Sequence, residues 1–218
     1  MPYLNDVFIS YKRGIINEQW LNEVFLPFFR NYLDNELDHT PKIFVDTNDL
    51  TPGVDFENEL FKNLIYSKCL VSIWSPPYFR RSEWCIKEFL SMRYKQEYFE
   101  IDADKIPYTL LWPVMFRKVD PLPPAVGALT YLDYSDYNVV GEAFTKDVKY
   151  LNFQKKLEKD IKSLGYIINN VPEYDAYWDT DEGRTIIINE LNTYFDVNND
   201  FDKIPIQKAI KWSSRTAG

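Results

Sequence analysis

Histidine and cysteine are almost missing from this chain. One histidine, His39, and two cysteines, Cys69 and Cys85, occur in 218 residues. A metal site built on several histidines is excluded, and a histidine-based triad is poorly served. His39 lies in a polar loop, LDHTP, and reads as a solvated loop residue. The two cysteines match no metal or redox spacing. Both read as reduced core residues of a cytoplasmic protein. No run of about 18 apolar residues is present, so no spanning helix is expected and no membrane partner. The first residues, MPYLNDVFIS, lack the basic start and apolar stretch of a secretory signal. Basic charge is scarce in one region above all. Residues 165–202 hold nine acids (Glu173, Asp175, Asp179, Asp181, Glu182, Glu190, Asp196, Asp200 and Asp202) against Arg184 alone, which accounts for the whole net charge of -8. An acidic balance with no basic face argues against nucleic acid as a direct partner.

What is present is apolar and aromatic. Hydrophobic residues make up 45%, with 16 Tyr and 15 Phe, enough for a sizeable core. The length suits one domain of roughly 100–200 residues with an appendage. DVFIS (6–10) reads as a first strand, followed by a polar loop at Tyr11, Lys12, Arg13 and Gly14. Residues 18–33 show helical spacing of Trp20, Leu21, Val24, Phe25, Phe28 and Leu33, with Pro27 expected to kink or split the helix. KIFV (42–45) is a second strand. It ends in the loop 46–56, where Pro52-Gly53 sets a turn. A helix is expected at about 55–66. CLVSIW (69–74) is a nearly unbroken apolar third strand, as in a parallel sheet covered on both faces.

After a proline pair, Ser82 can cap a helix running to about Phe99. IPYTLL (106–111) suggests a fourth strand and LTYL (129–132) a short fifth. Residues 146–164 read as a helix with six lysines against three acids, with Leu151, Leu157, Ile161 and Leu164 inward. Further helices are expected at 185–195 and 204–212. The acidic segment either lies on the lysine-rich helix or serves as a partner-docking arm.

Strands alternating with helices imply right-handed parallel crossovers. The expected fold class is α/β: a flavodoxin-like five-stranded parallel sheet with helices on both faces, plus a helical C-terminal extension. The expected division is 1–164 and 165–218, the second part an acidic helical extension. With strand order 2-1-3-4-5, a ligand would bind beyond the carboxyl ends of the first and third strands. Ser10 to Arg13 would stand on one side, and Trp74 and Ser75 on the other.

Three motifs in order resemble the Toll/interleukin-1 receptor (TIR) domain family: DVFISYKR (6–13), DTNDLTPG (46–53) and SPPYFRRSEWCIKEF (75–89). The last ends in Trp-Cys-x-x-Glu. The resemblance covers roughly residues 5–164. It is closest in kind to the catalytic, bacterial-type NAD+ hydrolase and cyclase branch. Other TIR domains are scaffolds that assemble signalling complexes.

The resemblance implies that Glu88 is the catalytic carboxylate, with NAD+ as substrate and no cofactor or metal. Breaking the nicotinamide–ribose bond builds positive charge on the ribose, as in glycoside cleavage. Nicotinamide leaves neutral without a proton, so one carboxylate suffices to stabilise that charge. Trp84 stands four residues before Glu88, on the same helix face. It either packs the helix on the sheet or also sets the carboxylate. Lys12 and Arg13 either neutralise the pyrophosphate or are solvated. Ser10 is either a ligand contact or a strand-end hydroxyl. Trp74 and Tyr78 either stack a substrate ring or pack in the core. Asp46 and Asp49 either contact ligand or close Asx-type turns. The expected role is defence signalling by hydrolysis or cyclisation of NAD+, activated by self-association with other TIR protomers and triggered by a separate sensor or effector protein. The alternative is a non-catalytic adaptor.

Overall fold

The computed structural model describes residues 3–45, 62–99 and 109–185. The first strand, β1 (Asn5–Tyr11), is the hub of the sheet. A helical run follows it as α1 (Ile15–Gln19), a π-helical turn (Trp20–Phe25) and α2 (Leu26–Asp34). The expected disturbance at Pro27 takes the form of that wider turn. Leu26 N–H reaches back to Leu21 O, and Pro27, which has no N–H to give, enters α2 in its first turn. The extra residue shifts the helical phase so that Trp20, Leu21, Val24 and Phe25 before it, and Phe29 and Leu33 after it, all reach the core.

β2 (Ile43–Val45) comes next, then, after a helical turn at 62–65, β3 (Ser67–Trp74). Two helices follow: α3 (Pro76–Arg80) and α4 (Glu83–Tyr98). The short α3 was not expected from the sequence. Its two prolines occupy the first turn, where a missing N–H costs nothing. The chain continues through β4 (Leu111–Met115), α5 (Pro124–Gly127), β5 (Leu132–Asp133), α6 (Glu142–Thr145) and α7 (Val148–Asn170).

The five strands form one parallel sheet in the order β2-β1-β3-β4-β5, the flavodoxin-like arrangement expected. Period-two alternation splits the core between two faces. Val7, Ile9, Cys69, Val71, Ile73, Trp112 and Val114 meet α2 and α7 on one face. Phe8, Leu70, Trp74, Leu111 and Met115 meet α3 and α4 on the other. Ser10 pairs with Ser72, and Ser72 with Pro113, giving that second face a row of short side chains in the middle of the sheet.

The last two strands lie later than expected, at 111–115 and 132–133 instead of 106–111 and 129–132. Residues 106–108 fall outside the described residues. Pro113 is what hides β4 in the sequence, because proline argues against a central strand. Here it removes no ladder bond. Leu110 O accepts from β3, and Met115 O accepts from Tyr134 beyond β5, so odd-numbered residues of β4 face β5. Pairing with β5 begins only at Val114.

α7 runs to Asn170, past the expected end at 164. Gly165 lies inside it at a close crossing with the end of α2, where an added Cβ would stand 2.5 Å from Glu36 Cβ. Ile167 and Ile168 are buried beyond that point. Leu151 is exposed, not inward. It stands six residues before Leu157, about 600° round the axis, and Phe153 takes the inward place. Asp46, Asp49, the loop 46–56 and the helices expected at 185–195 and 204–212 lie outside the described residues, or nearly so: only Thr185 of them is described.

Candidate functional site

The site is built where β1 and β3 end and α4 begins. Ser82 caps α4 through its side-chain oxygen, which accepts from Cys85 N at 3.4 Å; Ile86 N reaches Ser82 O at 3.3 Å. From this first turn the helix runs antiparallel to the strands, since Cys85 lies against Tyr78 at their carboxyl ends while Lys95 bonds the backbone at the start of β3. Glu88 lies one turn in, on the sheet side, and is only 4% exposed. Its charge is felt by the Tyr78 phenol and the Cys85 thiol. Both groups are pushed up first by burial and then by their acidic surroundings.

Tyr78 is held under this turn by α3. Its hydroxyl lies 2.9 Å from Ser10 Oγ and donates to Cys85 O at 3.1 Å. Ser10, Trp74, Ser75 and Tyr78 are all buried to within 1%. Neither Trp74 nor Tyr78 offers a free ring face. Trp74 packs among Phe79, Phe89 and Tyr131, and Tyr78 against Phe79. Among the described residues, the Trp74 indole N–H and the hydroxyls of Ser72 and Ser75 have no hydrogen-bond partner, a state that the Ser91 hydroxyl and the Trp178 N–H share at the other end of the sheet. Buried polar groups without partners are uncommon. Ser72 was not singled out in the sequence. Its only signal there is its position across from Ser10, visible once the register is known.

Lys12 is half-buried, and its charge weakly opposes the rise of the Cys85 thiol. Arg13 is exposed. Trp84 is half-buried at the edge of the α4 core, with Lys87 Nζ 4.8 Å from its ring centroid and in turn 2.6 Å from Glu83 Oε1. The structure thus brings Ser10, Lys12, Ser75, Tyr78, Cys85 and Glu88 together. Asp46 is outside the described residues.

A second polar region occupies the amino end of the sheet. His39 is an exposed loop residue, as expected, but it is not without partners there. Its Nε2 lies 3.0 Å from Asp6 Oδ2 and its Nδ1 2.8 Å from Asp38 Oδ1. Lys68 Nζ is 2.9 Å from Asp6 Oδ1, and Lys42 N–H donates to Oδ2. Burial alone would raise the Asp6 carboxyl, but these partners outweigh it and hold it below the usual range. Hydrogen bonds to Asp38 and then Asp6 raise His39. A crevice of about 500 Å³ adjoins this group, lined in part by Tyr3, Lys42 and Tyr174.

Residues 171–185 cross this end. They do not lie along the lysines of α7. Asp175 accepts from Tyr98 and from Tyr177 N, Asp179 accepts from Tyr66 and Tyr174, and Trp178 is buried beside Ile65, Tyr94 and Tyr98. Lys95 is buried beneath, donating to Ile65 O at 2.9 Å and Ser67 O at 2.6 Å; burial brings its pKa down to about 7.

A five-stranded parallel sheet in this order with helices on both faces defines a flavodoxin-like α/β domain. Comparison with known proteins narrows this class. A family model described as TIR domain matches residues 7–151, and the chain belongs to that family. Among solved structures it is similar to the TIR domain of the Toll-related receptor TRR-2 from the lower metazoan Hydra magnipapillata, at 20% identity over 70% of this chain and 98% of that one, with a TM-score of 0.43. It is also similar to the TIR domains of the activated Roq1 resistosome directly recognizing the pathogen effector XopQ, at 20% identity over 87% of this chain and 98% of that one, with a TM-score of 0.38. No curated protein matches the chain.

Proposed function

We propose that this TIR domain cleaves NAD+ between nicotinamide and ribose, giving ADP-ribose or a cyclic ADP-ribose-type signal in a defence response, and that assembly of TIR protomers activates it. The observation that carries this reading is the buried Glu88 carboxyl, one turn beyond the Cys85 backbone that Tyr78 and Ser10 tie to the end of β1. A carboxylate shielded from water stabilises a growing oxocarbenium charge more strongly than an exposed one. Lys12 and Arg13, on the loop after β1, suit the pyrophosphate. Ser75 and the Trp74 N–H suit ribose or ring polar atoms. Asp46, after β2, belongs to the same rim by sequence, and Trp84 packs the helix that carries Glu88. Because Ser10, Trp74, Ser75 and Tyr78 are covered in the single chain, opening this end is the task that assembly performs.

That same burial favours a second reading, a scaffold that binds other TIR domains without turnover. The two separate cleanly. Protein at high concentration incubated with NAD+ should release nicotinamide, with products identified by mass spectrometry, and Glu88→Ala should abolish release. Full activity in Glu88→Ala would sink the catalytic assignment. No turnover under any oligomerising condition, with TIR–TIR binding retained, would establish the scaffold.

A further inference from the structure

Tyr78 ties the end of β1 to the start of α4, and the direction of its hydrogen bonds can be worked out. A carbonyl oxygen only accepts, so the phenol must donate its proton to Cys85 O. The phenol oxygen is then left as an acceptor, and Ser10 Oγ–H must donate to it. The result is a directed chain from Ser10 through Tyr78 to Cys85. All three residues are buried, Ser10 and Tyr78 completely.

The helix end that receives this chain is closed by Ser82: its Oγ accepts from Cys85 N at 3.4 Å and donates to Cys85 Sγ at 3.0 Å, and its carbonyl oxygen accepts from Ile86 N at 3.3 Å. Glu88 is one turn further on, and nothing longer than that turn separates its backbone from the tie. Tyr78 itself is fixed at its base: its N–H donates to Ser75 O at 3.0 Å, within a turn stiffened by Pro76 and Pro77. A rigid anchor thus meets the turn that leads directly into the one carrying Glu88.

Resting on the catalytic reading above, we propose that Tyr78 is a positioning residue, whose Ser10–Tyr78–Cys85 hydrogen-bond chain fixes the first turn of α4 and with it the height of the Glu88 carboxylate over the end of β1. Its contribution is made through the backbone of Cys85 and not by stacking on substrate, since its ring is buried. Hydrogen-bonded anchoring of this kind acts on kcat more than on KM, because misplacing a reacting group by a fraction of an ångström weakens its hold on the transition state while leaving ground-state binding nearly intact.

Two measurements on Tyr78→Phe test this. Nicotinamide release should lose at least about ten-fold in kcat with KM within about two-fold of wild type. Backbone amide exchange over residues 85–89 should accelerate by at least about ten-fold, with the strands unchanged. Ser10→Ala should give a smaller effect of the same kind, and the double variant should be no worse than Tyr78→Phe alone. Lost turnover with unchanged exchange would overturn the proposal, because the phenol would then act on substrate directly. Faster exchange with unchanged kcat would overturn it too, leaving a purely structural tyrosine. If the wild type releases no nicotinamide under assembling conditions, the catalytic reading fails by itself, and exchange over 85–89 alone then decides whether Tyr78 holds this turn. Should Tyr78→Phe not fold, Ser10→Ala carries both measurements.

Discussion

The two ends of the sheet handle buried polarity in different ways. At the amino end, buried charges meet partners that hold segments of chain together. Asp6 joins β1 to the 38–42 loop and to Lys68, Lys95 pins α4 to the start of β3, and Asp175 and Asp179 fasten residues 171–185 to tyrosines. At the carboxyl end, the hydrogen bonds seen are between neutral groups, from Ser10 and Tyr78 to the Cys85 backbone, and unpartnered polar groups among the described residues occur at both ends: Ser72, Trp74 and Ser75 here, Ser91 and Trp178 at the amino end. Charge-assisted links between distant segments are the stronger ones and hold the fold together. The amino end is therefore expected to govern stability and the carboxyl end activity.

The largest test is Trp178→Ala, which should cost about 3–5 kcal/mol in urea unfolding by emptying the space beside Ile65, Tyr94 and Tyr98. Nicotinamide release per folded molecule should not change, and a matching loss of kcat would break the division. Next is Asp6→Asn, expected to cost about 1–3 kcal/mol near pH 6. Asp6 is held low, so its contribution is present above about pH 4 and lost as pH falls through its folded value. His39 is held high, so its contribution is complete below about pH 6.5 and lost as pH rises through its folded value. The difference in stability between wild type and Asp6→Asn should accordingly peak between about pH 4 and pH 6.5.

Lys95 gives a third, opposite signature. Its folded pKa is about 7, below the unfolded value of about 10.4, so the unfolded chain binds the extra proton between these limits. Wild-type stability relative to Lys95→Met should rise from pH 7 to pH 9.5, as thermal unfolding of the two proteins would show. A flat difference would mean that Lys95 is not buried as described. The smallest effect belongs to the surface. Lys87→Ala, which removes the pair with Glu83, should shift unfolding by less than about 0.5 kcal/mol. A larger shift would show that the rim around Trp84 bears more of the fold than its half-burial suggests.

The fold was largely legible because local chemistry and global order agree in the first half of the chain. Apolar runs gave β1, β2 and β3, Ser82 marked α4, and alternating elements gave the parallel order. The later strands were misplaced where a local rule lost to position. Pro113 argues against a strand by itself but is harmless beside a neighbour as short as β5. Leu151 looked inward by type and not by angle. In the candidate site, burial was not legible. A serine, a tyrosine and a tryptophan at the end of a strand read equally well as ligand contacts or as core. The structure buries all three and joins the serine and the tyrosine to the Cys85 backbone. His39 was missed for a related reason: its partner Asp6 lies 33 residues away, on the buried start of β1.

The crossing at Gly165 bears on how such a domain can be moved between proteins. The family match ends at residue 151, and motif resemblance ends near 164. A cut at either place would pass through α7. It would strip away Ile167, Ile168 and Trp178, leaving apolar holes on both sides of the sheet. A graft or fusion designed on the motif borders would inherit the site and lose its foundations. The portable piece is longer than the recognisable one: it takes in α7, which has no side chain to spare where it passes Glu36, and runs on to Trp178.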